Sequence, residues 1–187
     1  TIQNSDAKVY TLQLIAIELA KGGKFKNAIQ LVESIQKASI SAFLLSKIAI
    51  EQIKAGKDEQ AADLFSQAIQ AAESIQDIKS KAFALKRIAV ELAKAGRYEQ
   101  AIQLAESIQA DYPKVSALGD IAIEQIKAER YEDVGYLLHS AFAAIQSAQS
   151  NSGRDHQLRL IATDIIRIKL IDKGMSAKIA QIILFYC

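Results

Sequence analysis

Cysteine is all but missing from this chain. Cys187 is the only one, so no internal disulfide can form and the redox compartment is left open. Proline occurs once in 187 residues, so almost no residue is barred from a helix interior, and tryptophan never occurs. No apolar run approaches the ~20 residues of a membrane-spanning helix. Charge of one sign is also absent: 23 basic and 21 acidic side chains leave a net charge of +2. That balance argues against nucleic acid or an anionic membrane as partner. The chain has no glycine-rich phosphate loop, no paired cysteines, no zinc-protease histidine pair and no nucleophile elbow. Its two histidines, His139 and His156, read as a surface residue and a loop residue beside Asp155. The expectation is a protein that is not an enzyme and carries neither cofactor nor metal.

What is present is repetition. Leu, two variable residues and Ile-Ala recur five times: Leu12-Ile15-Ala16, Leu45-Ile48-Ala49, Leu85-Ile88-Ala89, Leu118-Ile121-Ala122 and Leu158-Ile161-Ala162. An acid stands two residues after each alanine (Glu18, Glu51, Glu91, Glu124, Asp164) and a base five after it (Lys21, Lys54, Lys94, Lys127, Arg167). The alanine marks are spaced 33, 40, 33 and 40 residues apart, so the full unit is a 73-residue pair of motifs. Sliding the chain by 73 residues aligns Leu12–Gln36 with Leu85–Gln109 at sixteen identities in twenty-five. A period of this size belongs to stacked-repeat proteins.

Half the residues are apolar and 24% are charged, with a helix-forming composition. Each motif reads as two antiparallel helices. Leu85, Ile88, Ala89 and Leu92 fall on one face at helical spacing. Gly96 then ends the first helix, as Gly23 and Gly56 do in their motifs. Glu129 stands where the fourth motif would have this glycine, which predicts a looser or differently built turn. The 33/40 alternation is expected in the second helices, those of motifs two and four being longer by roughly two turns. Pro113 belongs in the first turn of a helix, where its missing N–H is harmless. Gln52 and Gln125 replace inward-facing leucines, which predicts that Ile53 and Ile126 turn inward instead. The i,i+3 acid–base pairs read as helix-stabilising contacts worth ~0.2–0.5 kcal/mol each.

Residues 85–101, Leu-x-x-Ile-Ala-x-Glu-Leu-Ala-Lys-Ala-Gly-Arg-Tyr-Glu-Gln-Ala, resemble a tetratricopeptide repeat. Ala89, Gly96, Tyr98, Ala101 and Pro113 stand at that family's marker places. Leucine replaces the family's common tryptophan, Asp58 replaces the aromatic of the second motif, and the period alternates. The resemblance implies an all-α, α-α superhelical solenoid of about five helical hairpins, at approximately 7–36, 40–76, 80–109, 113–148 and 155–187. Together they form a single tetratricopeptide-like domain over 1–187.

The resemblance also implies that the first helices line a concave groove. Its lining then falls six and three residues before, and one and four after, each marker alanine. This face includes Tyr10, Phe43, Phe83, Ser46, Lys86, Ile17, Ile50, Val90, Ile123, Ala20, Ile53, Ala93 and Ile126. The partner-binding candidates are Phe43, Ser46, Ile50, Lys54, Phe83, Lys86, Val90, Lys94, Ile123 and Lys127. The stripe is mostly apolar and suits an amphipathic helix or an extended peptide with apolar anchors. A tightly wound stack without a groove is the alternative use of the same face. The family's carboxylate clamp requires asparagine where Ile17, Ile50, Val90 and Ile123 stand, which excludes that mode.

The expected function is a protein–protein interaction scaffold that binds another protein or peptide, in the cytoplasm and as one region of a larger protein. One alternative is a self-assembling architectural module. Its interface would be the apolar C-terminal helix, 176–187, which also makes a homo-oligomer an expectation. Another alternative is a platform for RNA binding or an accessory to an enzyme. The Lys-Ala-Gly-Arg run is similar to the RNA-reading pentatricopeptide repeats, whose near-invariant period this chain lacks.

Overall fold

The computed structural model describes residues 2–130 and 134–147, and among these all regular structure is helical. The helices are α1 (Ile2–Lys21), α2 (Phe25–Glu33), α3 (Ala38–Lys54), α4 (Asp58–Glu73), α5 (Ile78–Lys94), α6 (Tyr98–Ser107), α7 (Asp111–Lys127) and α8 (Val134–Ser147). Four of the five expected hairpins are therefore described. The fifth, 155–187, lies outside the described residues, and so does the apolar segment 176–187. Helix α1 begins earlier than the expected residue 7, because nothing in residues 2–6 breaks a helix.

Each first helix packs on the first helix of the next hairpin: α1 on α3, α3 on α5, α5 on α7. Each second helix packs on its own first helix and on the following one, as α2 does on α3, α4 on α5 and α6 on α7. The repeated apolar residues explain this order. Ile48, Ile88 and Ile121 are fully buried, as are the marker alanines behind them. Ala28, Ala61, Ala101 and Val134 are the equivalent fully buried positions of the second helices. Burying an isoleucine-sized side chain contributes about 2 kcal/mol. No hairpin has enough apolar surface of its own to do this, so the neighbours complete one continuous core.

The length alternation sits in the second helices. Helix α4 has 16 residues against 9 in α2 and 10 in α6, whereas α3, α5 and α7 all have 17. The difference is about two helical turns.

The turns within the hairpins share one construction. In hairpin three the Gly96 N–H donates to the Ala93 carbonyl at 2.9 Å, and the Arg97 N–H to that of Leu92 at 2.9 Å. This pair of bonds is a Schellman cap, which requires a left-handed residue. Gly96 supplies it at φ 75°. The expected looser turn at Glu129 does not occur. Glu129 itself adopts φ 57°, and its N–H and that of Arg130 donate to Ile126 and Gln125 at 3.0 and 2.9 Å. The cap's two hydrogen bonds and the packing of α7 hold a non-glycine residue in a conformation it disfavours. Pro113 lies in the first turn of α7, where it displaces no helical hydrogen bond.

The expected inward turn is found for Ile126, but not in exchange for the glutamines. Gln52 and Gln125 remain inward, at 3% and 1% exposure. Ile126 is buried as well and Ile53 is half-buried. The apolar marker residues set the rotation of each helix, and one polar residue per helix does not outweigh them.

Candidate functional site

The first helices α3, α5 and α7 carry the predicted face. Of its residues, Phe43, Ile50, Lys86, Val90 and Ile123 are half-buried, and Phe83 is exposed, as are Lys54, Lys94 and Lys127. Ser46 is fully buried, and its hydroxyl donates to the Phe43 carbonyl at 2.8 Å. It offers nothing to a partner. Small Ser46, and Gly119 at the equivalent place in α7, are instead buried. Ala20, Ala93 and Ile126, four after the marker alanines, are likewise buried and do not line a surface. Apart from the aromatic residues, the apolar lining narrows to the row Ile17, Ile50, Val90 and Ile123, one after each marker, all of it half-buried.

A polar and aromatic network joins these helices. The Arg87 guanidinium of α5 lies 3.7 Å from the Phe43 ring centroid of α3, with the Lys47 ammonium 5.5 Å from the same ring. Phe43 therefore turns its ring face to cations rather than to an incoming ligand. Burial lowers the Arg87 pKa from its ordinary value, and the charge of Glu91 opposes that shift. Lys47 also donates to Glu91 at 2.9 Å, and Lys94 reaches the other carboxylate oxygen at 3.1 Å. Lys86 is engaged by α7, donating to the Ser116 hydroxyl at 2.6 Å and pairing with Asp120 at 3.2 Å. The rings of Phe83 and Tyr112 meet at 6.0 Å between centroids, tilted by 55°.

The other lysines of the prediction close their own i,i+3 pairs: Lys54 with Glu51 at 2.7 Å and Lys127 with Glu124 at 2.8 Å. Lys21 does the same with Glu18 at 2.7 Å, and that hydrogen bond and charge raise its pKa. The charged edge is thus neutralised pair by pair.

Sequence reasoning missed Lys47, Arg87 and Asp120, which stand two residues before their marker alanines. A signal was available, since three of the five motifs carry a charge there. It missed Tyr112 because that residue lies beyond the repeated core of the motif. The register of contact was not legible either. Residues six and two before the marker of α3 meet residues two before and two after that of α5. Phe83, six before the α5 marker, meets Tyr112, ten before the α7 marker. The first junction follows the long helix α4 and the second follows the short helix α6.

The second helices stand further apart than the first. A cavity of about 600 Å³ opens between α2 and α4, lined by Phe25, Asn27, Ile29, Gln60, Asp63 and Gln67 among others. Another, of about 360 Å³, lies between α4 and α6 around Phe65, Ile69, Gln100 and Gln103. None of the predicted partner-binding residues lines either cavity. Among the described residues there is no group of three or more His, Cys, Asp or Glu side chains able to hold a metal. No described helix is long and apolar enough to cross a membrane. His156, Asp155 and Cys187 lie outside the described residues. Comparison with protein-family models, curated proteins and solved structures gives no match.

Proposed function

We propose that the hairpins form a tetratricopeptide-like solenoid, with 155–187 as its fifth member, and that its first-helix face binds a helix or extended peptide of another protein. First helices in direct contact, with clefts between the second helices, are what a row curved toward its first helices requires. The observation that carries the binding role is the Phe83–Tyr112 pair. Both rings remain over two-fifths exposed although they bridge two helices. Val90 lies two turns along α5 from Phe83, on the same face. Aromatic groups that lose water on binding are the usual energetic centre of an interface. Phe83, Tyr112, Val90 and Ile123 form the apolar floor, and the Glu–Lys pairs form a neutral polar rim. The partner segment carries apolar anchors at helical or alternate spacing and has little net charge.

The test is selection of a displayed random-peptide library on the whole chain. Enriched peptides are then titrated against the wild type, Phe83→Ala and Val90→Asp. Losing one central anchor raises Kd at least about tenfold. If the enriched peptides bind all three proteins equally, the face is not the site.

A further inference from the structure

We infer that the outward face of α1 is a docking surface for one more helical hairpin, of the kind with a long second helix. Ile15 is 45% exposed, whereas its three equivalents Ile48, Ile88 and Ile121 are fully buried. Leu12 and Leu19 are only partly buried, while Leu85 and Leu92, 73 residues later, are almost fully so. In the other three hairpins the preceding hairpin covers this face. On α1 the same face borders a depression of about 370 Å³ lined by Leu14, Ile15, Glu18, Leu19, Gly22 and Lys24.

The occupant follows from how the internal junctions are made. The base at the turn of each later hairpin reaches the first residue of the preceding second helix. Lys57 lies over the Phe25 ring at 5.2 Å, Arg97 donates to the Asp58 carbonyl at 3.1 Å, and Arg130 lies over the Tyr98 ring at 5.2 Å. Lys24 is the base at this place in hairpin one, and no such residue meets it among the described residues.

Helix α1 is the 73-residue counterpart of α5, and α5 follows the long hairpin α3–α4. That junction is fastened by Lys47–Glu91 at 2.9 Å, Glu73–Lys81 at 3.4 Å and Asp58–Arg97 at 3.7 Å. The counterparts of Glu91, Lys81 and Arg97 are Glu18, Lys8 and Lys24, with the same charge at all three places. The Glu18 side chain is 70% exposed, against 6% for that of Glu91. The surface therefore fits a hairpin presenting a base, an acid at the start of its second helix and an acid at that helix's end. The hairpin α3–α4 has this chemistry, in Lys47, Asp58 and Glu73. A hairpin with a short second helix begins that helix with an aromatic residue, as Phe25 and Tyr98 do, and supplies no acid at that place opposite Lys24. The docking face is separate from the first-helix face on which peptide binding rests, so either assignment can fail alone.

The test replaces residues 1–4 with a copy of residues 37–77, which preserves the 73-residue register into Ser5. The extended chain should unfold in one transition with a higher urea midpoint, and its α1 amides should exchange more slowly. Ile15→Glu should leave the midpoint of the original chain close to wild type and abolish the gain in the extended chain. Lys24→Glu should reduce that gain through repulsion at the copied Asp58. A separate early transition for the added hairpin overturns the inference, as does a gain that survives Ile15→Glu. Reversible dimerisation of the original chain that Ile15→Glu abolishes also overturns it, because a second copy would then be the occupant.

Discussion

Glu129 offers the cleanest quantitative test of the hairpin construction. It is exposed, and at φ 57° it occupies the place that Gly23, Gly56 and Gly96 fill at φ 71–75°. A side chain in the left-handed region costs roughly 1–2 kcal/mol. Glycine removes that strain but has more freedom to lose on folding, which offsets about 0.4–1 kcal/mol. Glu129→Gly should therefore stabilise the chain by about 0.8 kcal/mol, a rise in Tm of about 2–3 °C for a chain of this size. Gly96→Ala should move stability the other way by a similar amount. A Cβ built at Gly96 meets nothing within 4 Å, so no steric clash adds to these two terms. Urea unfolding followed by circular dichroism measures both variants, with an unchanged m-value as the check on the native state. A lower midpoint for Glu129→Gly, or an unchanged one for Gly96→Ala, would refute the shared cap.

Three further outcomes are expected. Gln52 is 3% exposed and, among the described residues, its carboxamide oxygen accepts no hydrogen bond; Gln52→Leu, matching Leu19 and Leu92, should raise stability by about 1 kcal/mol in urea unfolding, and a loss would mean the amide is well satisfied. A double-mutant cycle on Lys47 and Glu91 should return a coupling of about 1–2 kcal/mol, against a few tenths for the exposed Glu18–Lys21 pair, because only the first pair is sheltered between helices; equal couplings would sink that distinction. Asp77 caps α5 by accepting from the Ser80 N–H at 2.7 Å, and hydrogen bonding from the Ser80 side chain and N–H lowers its pKa. Its stabilisation is full above the unfolded-state value of ~3.9 and disappears as pH falls through the lower folded value. Asp77→Asn should keep the cap and flatten that acid limb, which thermal melts between pH 2 and 5 would show.

The Leu-x-x-Ile-Ala marks, the alternating period and the turn glycines were enough to read four hairpins, the face each helix buries and the long second helix α4. These features are local: a 3.6-residue periodicity and a left-handed cap are written in neighbouring positions. The candidate face was legible as a row of half-buried aliphatics, but not in its detail. Ser46 looked available and is buried, while Phe43 looked like an anchor and is covered by Arg87.

By itself the amino-acid sequence determined that the described residues are helical, where their hairpins turn and which residues form their core, because each follows from spacing within a few turns of one helix. Tertiary structure alone decided that Lys47 finds Glu91, that Lys86 is held by α7, and that Phe83 and Tyr112 stay in solvent together. Those pairings depend on the stagger between successive first helices. That stagger differs between the junction after α4 and the junction after α6, and many packed side chains acting together produce it.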